Sequence, residues 1–540
     1  MSAFRNGAAQ ISPVTAPEPA GRGAGHLEAV ARGGALSLVG ALVSAVANLA
    51  LTVVITHGVG RSTAGEFFAL TSVFLLAEVL CRLGADVGLI YFLARWRVQG
   101  RFRDMRVGLR VGMEPPLIGA VVVGVGMFAA AGPLGRWVGA GTHGIGLLRL
   151  LAVALPVVVG YDLCLAATRG WSRMRPTVVI DKIARPLAQL GLVAAVLVLG
   201  WKSLLGVGWA LPYFAAAVAG VAAVRALPWR KAGRNESPAD IGGTAAPAAP
   251  GAGSATAPTL GRPAVAREFW RFTAPRAVAA VAQLLLQRLD IVLVAALRGP
   301  VDAAVYTAAT RFLVVGQFVN MALVAPAQPR LSALLASRDI EGTRELFQTT
   351  TSWLVLFVWP MYLAIAVLAP TYLKIFGSGY SAGRWVVVLL CLAMLFASAV
   401  GFVDVILLMV GKSAWNMGTT VVALAVDAVL DVVLIPHIGI VGAAVGWCGA
   451  IIAANLVPGL LVLRLIGVHP FSRATRTAMA LTTACFAVIP LTAGLVLGGG
   501  QPARMVGVVV GIAVYAAALW RLRHTLALPL AATAITRRTR

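Results

Sequence analysis

Apolar residues in this chain neither alternate nor keep to one helical face. They come in nearly continuous runs of about 20 residues, punctuated by short clusters of glycine, proline and arginine. A helix of about that length is needed to cross the hydrocarbon core of a bilayer. In lipid a helix satisfies its own backbone hydrogen bonds, so such runs predict helices rather than strands. Fourteen are expected, at about 33–56, 64–94, 112–132, 147–168, 177–200, 204–224, 269–297, 303–326, 350–370, 383–410, 417–435, 440–466, 477–498 and 503–522. The predicted fold class is an all-α polytopic membrane protein.

Composition agrees. The 540 residues are 59% hydrophobic and 12% charged, with mean hydropathy +0.87. A soluble chain of this size carries about twice that charged fraction, so no large soluble domain is expected. Residues 1–32, rich in Ala, Pro and Gly, read as a disordered cytoplasmic tail without the layout of a cleavable leader. The stretch 228–263 is biased to Ala, Pro, Gly, Ser and Thr, which marks a flexible linker. The expected organisation is an N-lobe over 33–224, a linker over 225–268, a C-lobe over 269–467, two extra helices over 468–524 and a basic tail over 525–540.

Net charge is +25. With the N-terminus placed inside, 31 Lys and Arg fall on the cytoplasmic side and eight on the other, with six within or close to helices. This positive-inside bias predicts cytoplasmic termini. Charge spread over short loops on one side of a membrane suits topogenesis and contact with anionic lipid heads. A nucleic-acid binder concentrates charge on one folded surface, so no nucleic-acid partner is expected. The five cysteines lie in apolar runs without ligand spacing, so neither a disulfide nor a metal or other cofactor is expected. The six histidines do not cluster and the non-cytoplasmic loops are short, which argues against an enzyme, and no phosphate-binding glycine loop occurs, which argues against ATP-driven transport.

The chain repeats itself. Gly60, Ala64 and Phe67 match Gly299, Ala303 and Tyr306 at an offset of 239, and Gly160, Tyr161 and Gly170 match Gly401, Phe402 and Gly411 at 241. Two anchors in nearly one register imply two homologous lobes. The offset spans six helices, an even number, so the repeats are parallel and related by an axis along the membrane normal. Those turns, the basic glycine steps at Gly170 and Gly411, and HIGIVGAAVG at His437–Gly446 resemble polysaccharide-exporting flippases of the multidrug/oligosaccharidyl-lipid/polysaccharide (MOP) exporter superfamily, alongside O-antigen (Wzx-type) and lipid II flippases. The resemblance covers about residues 33–470. It implies two six-helix lobes around a central cavity, alternating access, and a polyprenyl-diphosphate-linked oligosaccharide as cargo in a bacterial cytoplasmic membrane. Polymerase or glycosyltransferase machinery would be a partner.

Ionisable residues inside apolar runs are the candidate site, because each costs at least about 2.5–3.5 kcal/mol at bilayer depth on insertion scales. In the seventh segment Arg276, Gln283, Gln287 and Asp290 are spaced 7, 4 and 3 and share a face. Gln317 and Asn320 of the eighth segment are expected to join this polar face. Arg288 lies off it near mid-membrane. Either Arg288 faces a cavity, or it pairs with Asp290 or a neighbour. Arg276 either faces the cavity or snorkels to the interface. With Arg311 and Arg82, these arginines are candidates for binding a diphosphate, since a guanidinium stays charged and its fork matches phosphate oxygens. Glu78, Arg82 and Asp86 also form an i, i+4, i+8 ladder able to neutralise itself. Asp162, Asp404, Asp427 and Asp431 are candidate coupling acids or counter-ions. The rival reading is a cation-coupled multidrug antiporter, whose cavity would want net negative charge; the first segment, 33–56, contains no acid. A non-transporting scaffold for envelope polymer synthesis is a third.

Overall fold

A computed structural model describes residues 21–229, 261–410, 413–498 and 500–522. The start of the predicted tail, most of the predicted linker, Gly411 and the basic C-terminal tail lie outside the described residues. The regular elements of the described residues are helices, with no strand. The first lobe comprises α1 (Gly21–Gly58), α2 (Arg61–Arg82), α3 (Ala85–Val98), α4 (Phe102–Ala129), α5 (Ala131–Trp137), α6 (Thr142–Gly170), α7 (Arg185–Val198) and α8 (Leu205–Arg225). The second comprises α9 (Arg262–Arg298), α10 (Pro300–Thr310), α11 (Leu313–Ala336), α12 (Ile340–Val367), α13 (Ala369–Lys374), α14 (Arg384–Val400), α15 (Val403–Met409), α16 (Ser413–Ile438) and α17 (Ile440–Ile466). Then α18 (Arg473–Thr483), α19 (Ile489–Val496) and α20 (Gln501–Leu522) follow, with α18 packed on α12.

Helix occurs at each of the fourteen predicted positions. Eleven helices among the described residues are long and apolar enough to cross a membrane, which makes this a multi-pass membrane protein. The other three positions hold interrupted helices. The segment predicted at 64–94 divides into α2 and α3 at Leu83 and Gly84, both left-handed (φ 51° and 68°). The segment at 303–326 divides at Arg311 and Phe312, and the one at 177–200 opens with a π-helical stretch, Thr177–Ala184. That wide turn ends just before Pro186, whose ring lacks an N–H and would clash with the carbonyl of Lys182 in a regular α-helix. The segment at 383–410 also breaks, at Gly401 (φ 80°) between α14 and α15. Its repeat counterpart, Gly160, sits inside the unbroken α6.

Two expected boundaries move. The tail was expected to reach residue 32, yet α1 begins at Gly21. The linker was expected to reach residue 268, yet α9 begins at Arg262, with Pro263 in its first turn where a missing N–H costs nothing. Val265 and Phe269 are fully buried there, and burial extends the helix beyond the apolar run.

The lobes meet through α2, which packs on α9 and α10. Gly65 makes the approach possible: a Cβ there would lie 1.6 Å from the carbonyl oxygen of Pro300. Helix α9 belongs to both lobes. Its first half packs on α3 and α4, where Tyr91 stacks on Phe272 (ring centroids 4.3 Å apart), Phe92 meets Phe269, and Arg95 pairs with Glu268 at 3.3 Å. Arg262 also pairs with Glu114. Its last turns pack on α10 and α16 instead.

Candidate functional site

Gln283 and Gln287, one turn apart on α9, face a cavity of about 400 Å³ inside the second lobe. Gln317 and Asn320 of α11 line the same space, so four of the predicted polar residues come together. The other walls come from α12, α14, α15, α16 and α17, with Ser398, Asp404, Trp447 and Asn455 contributing. Gly401 and Phe402 also line it, so the α14–α15 break shapes the wall. The predicted set lacked Trp447 and Asn455, whose apolar surroundings in α17 gave no polar periodicity.

Arg288 points elsewhere. With Arg311, it lines a cavity of about 380 Å³ between α1 and the α9–α11 pair. Ser44, Asn48 and Lys182 complete its polar lining. The side chain of Arg288 has no hydrogen bond and no ion pair within 4 Å among the described residues, and Arg311 donates its Nε only to the Thr307 carbonyl (3.0 Å), while both interact electrostatically with Asp290. Lys182 lies 3.1 Å from Asp181. The π-helical stretch presents these two residues, which sequence reasoning missed; charges at 181, 182 and 185 in an apolar segment were the available signal.

Arg288 and Asp290 interact electrostatically but make no ion pair within 4 Å, because residues two apart on a helix point to different sides. Asp290 also leaves the cavity set. It is 4% exposed and accepts a 2.5 Å hydrogen bond from the Tyr306 hydroxyl. Across the α9–α16 contact it interacts electrostatically with Asp427 and Asp431, which are fully buried. Neither has a hydrogen-bond partner for its carboxylate among the described residues. Gly446 of α17 lets that helix close over them: a Cβ there would lie 2.3 Å from Asp431 Oδ1. Among the described residues no group of three or more His, Cys, Asp or Glu is arranged to hold a metal ion.

The first lobe carries a network of ion pairs. Arg82 pairs with Glu78 at 2.7 Å and with Asp86 and Asp162 at 3.7 Å. The ladder seen in the sequence thus pairs within itself, and Asp162 joins it from α6, leaving one cation among three carboxylates. Beside it Asp181 takes bonds from Arg185 (2.9 Å) and the Tyr161 hydroxyl (2.9 Å), and Arg185 reaches Gln189 at 3.0 Å. Arg82 lies among three carboxylates, and lines neither cavity described above. Nor does Arg276, which stacks over Phe272 with its guanidinium carbon 3.6 Å from the ring centroid.

The described residues thus form two helical lobes joined across α2, with polar cavities within the membrane-spanning region. Comparison places this fold among known ones. Residues 256–382 match the model of a family described as polysaccharide biosynthesis protein. The lipid II flippase MurJ in an inward closed conformation superposes with TM-score 0.68 at 12% identity, over 90% of this chain and 99% of that one. An inward-facing multidrug resistance MATE family transporter of the MOP superfamily gives 0.58 at 16% identity, over 79% and 95%. A mutant of the Vibrio cholerae MATE transporter VcmN gives 0.52 at 14%, over 82% and 98%. No curated protein sequence matches. The chain has the fold of these flippase and transporter structures.

Proposed function

We propose that the chain flips a polyprenyl-diphosphate-linked oligosaccharide across a bacterial cytoplasmic membrane for cell-surface polysaccharide synthesis, by alternating access, with both termini cytoplasmic. The observation that carries this is the pair Arg288 and Arg311, two guanidinium groups that face one cavity at the edge between the lobes, with no ion pair within 4 Å among the described residues and with Asp290 as their acidic neighbour. Unpaired cations at membrane depth are costly unless they face water or an anionic ligand. A diphosphate is such a ligand, and its lipid tail can remain outside in the bilayer. The family-model match and the MOP fold support the reading. Arg82, Asp162 and Arg276 take structural roles in it, through the contacts described above.

Coupling is assigned to Asp427 and Asp431 with Asp290. Asp427 and Asp431, buried one turn apart with Asp290 nearby and no cation paired to either among the described residues, call for a neutralising ion, and a proton is the smallest. This cluster is also the feature that favours a cation-coupled drug antiporter, so the test must separate the two. Proteoliposomes carrying wild type or Arg288→Gln are assayed with a fluorescent polyprenyl-diphosphate oligosaccharide and with a cationic dye. Wild type should flip the sugar lipid, and folded Arg288→Gln should lose at least about tenfold. Dye export with no sugar-lipid flipping would install the antiporter reading. Equal flipping by both chains would return Arg288 to a packing role.

A further inference from the structure

Positions 287 and 288 are neighbours on α9, yet they face different cavities: Gln287 the one inside the second lobe, Arg288 the one beside α1. The two cavities share α9 and α11 as walls but differ in chemistry. The α1-side cavity is cationic. The inner cavity has no Lys, Arg or His among its described lining residues. It carries five carboxamides, Gln283, Gln287, Gln317, Asn320 and Asn455, and one carboxylate, Asp404.

We propose that this inner cavity is the sugar-recognition site, and that it admits an uncharged sugar and rejects an acidic one. The proposal rests on the flippase reading above and specifies its substrate class.

Carboxamides both donate and accept hydrogen bonds, as sugar hydroxyls and N-acetyl groups do. Phosphate oxygens only accept, and at neutral pH they favour the charged donors across α9. Trp447 adds a broad apolar face of the kind that meets the C–H surface of a pyranose ring. A volume of about 400 Å³ falls within the range of about 300–1,000 Å³ typical of small-ligand sites. Asp404 supplies the repulsive element on which specificity often depends. A hexuronic acid carboxylate would meet a like charge there, in a cavity that offers no cation among the described residues.

The test uses the full chain in proteoliposomes and three fluorescent probes on one polyprenyl-diphosphate carrier: no sugar, an N-acetylhexosamine, or a hexuronic acid. Wild type should flip the N-acetylhexosamine carrier at least about tenfold faster than the hexuronic one. Asp404→Asn should raise the hexuronic rate and bring that ratio toward one. Gln287→Glu, which adds a second acid to the cavity, should widen it. Trp447→Ala should lower the N-acetylhexosamine rate relative to that of the bare carrier. Equal rates for the two sugars in wild type would overturn the proposal while leaving the flippase reading intact. So would a ratio unmoved by both Asp404→Asn and Gln287→Glu. Failure to flip any of the three carriers would overturn the flippase reading itself, and this inference with it.

Discussion

Single residues carry most of the chemistry, and their positions in sequence only partly announced it. Gln283 and Gln287 were legible as a pair, because residues four apart on a helix share a face. Asp290 fits the same spacing but sits a turn nearer the end of α9, where α16 and Tyr306 close over that face. Helical phase locates a stripe and says nothing about where a neighbouring helix covers it. Arg288 was legible as a charge out of place, and its lack of a close ion pair required the fold. If Asp290, Asp427 and Asp431 hold the coupling proton, Asp427→Asn should abolish the stimulation of flipping by an imposed pH gradient. Flipping down a substrate gradient would continue. Unchanged stimulation would move coupling elsewhere. Asp431→Asn should raise the thermal midpoint only above the pH at which the coupling proton leaves, since only the bare buried carboxylate is costly.

At the level of elements, apolar length fixed where the helices lie but not where they break. Hydropathy runs straight through Leu83–Gly84 and Gly401–Phe402, because a change of backbone dihedral leaves no trace in polarity. The only advance sign was a glycine, and glycine is common in this chain. Gly401 shows why it matters: at φ 80° an added Cβ would lie 2.5 Å from Thr351 Oγ1 and 3.1 Å from the Phe347 ring. Gly401→Ala should therefore cost at least about 1–2 kcal/mol from the left-handed backbone alone. Gly418→Ala, in α16 with nothing within 4 Å of the added carbon, should be neutral or slightly stabilising. Thermal unfolding of the two variants in one detergent checks the contrast. Similar losses for both would mean that the α14–α15 break is not held by Gly401.

For the whole molecule the question is what holds the first half of α9 to the first lobe. The ion pairs Arg95–Glu268 and Arg262–Glu114 are partly exposed, and such pairs are worth about 0–1 kcal/mol each. The aromatic contacts of Phe272 with Tyr91 and Phe92 add about 0.5–1.5 kcal/mol apiece beyond their buried area. The rings should therefore dominate. In a Gln287→Cys background, Phe272→Ala should speed labelling by a charged thiol reagent several-fold, whereas Glu268→Gln should change it less than about twofold. The reverse order would make the seam electrostatic. The two-lobe plan itself was legible, since the repeat registers at 239 and 241 gave it away. That one helix would serve both lobes was not, because a repeat reports ancestry and not contact. This sharing has a consequence for the gene as well as the protein. Cohesion between the halves resides in α9 and in the α2–α10 contact, and not in the peptide bonds that join Trp229 to Gly261. Two separate reading frames divided there should yield polypeptides that find each other in one membrane and restore transport, whereas moving the division past Ala282 should separate a lobe from its own seal.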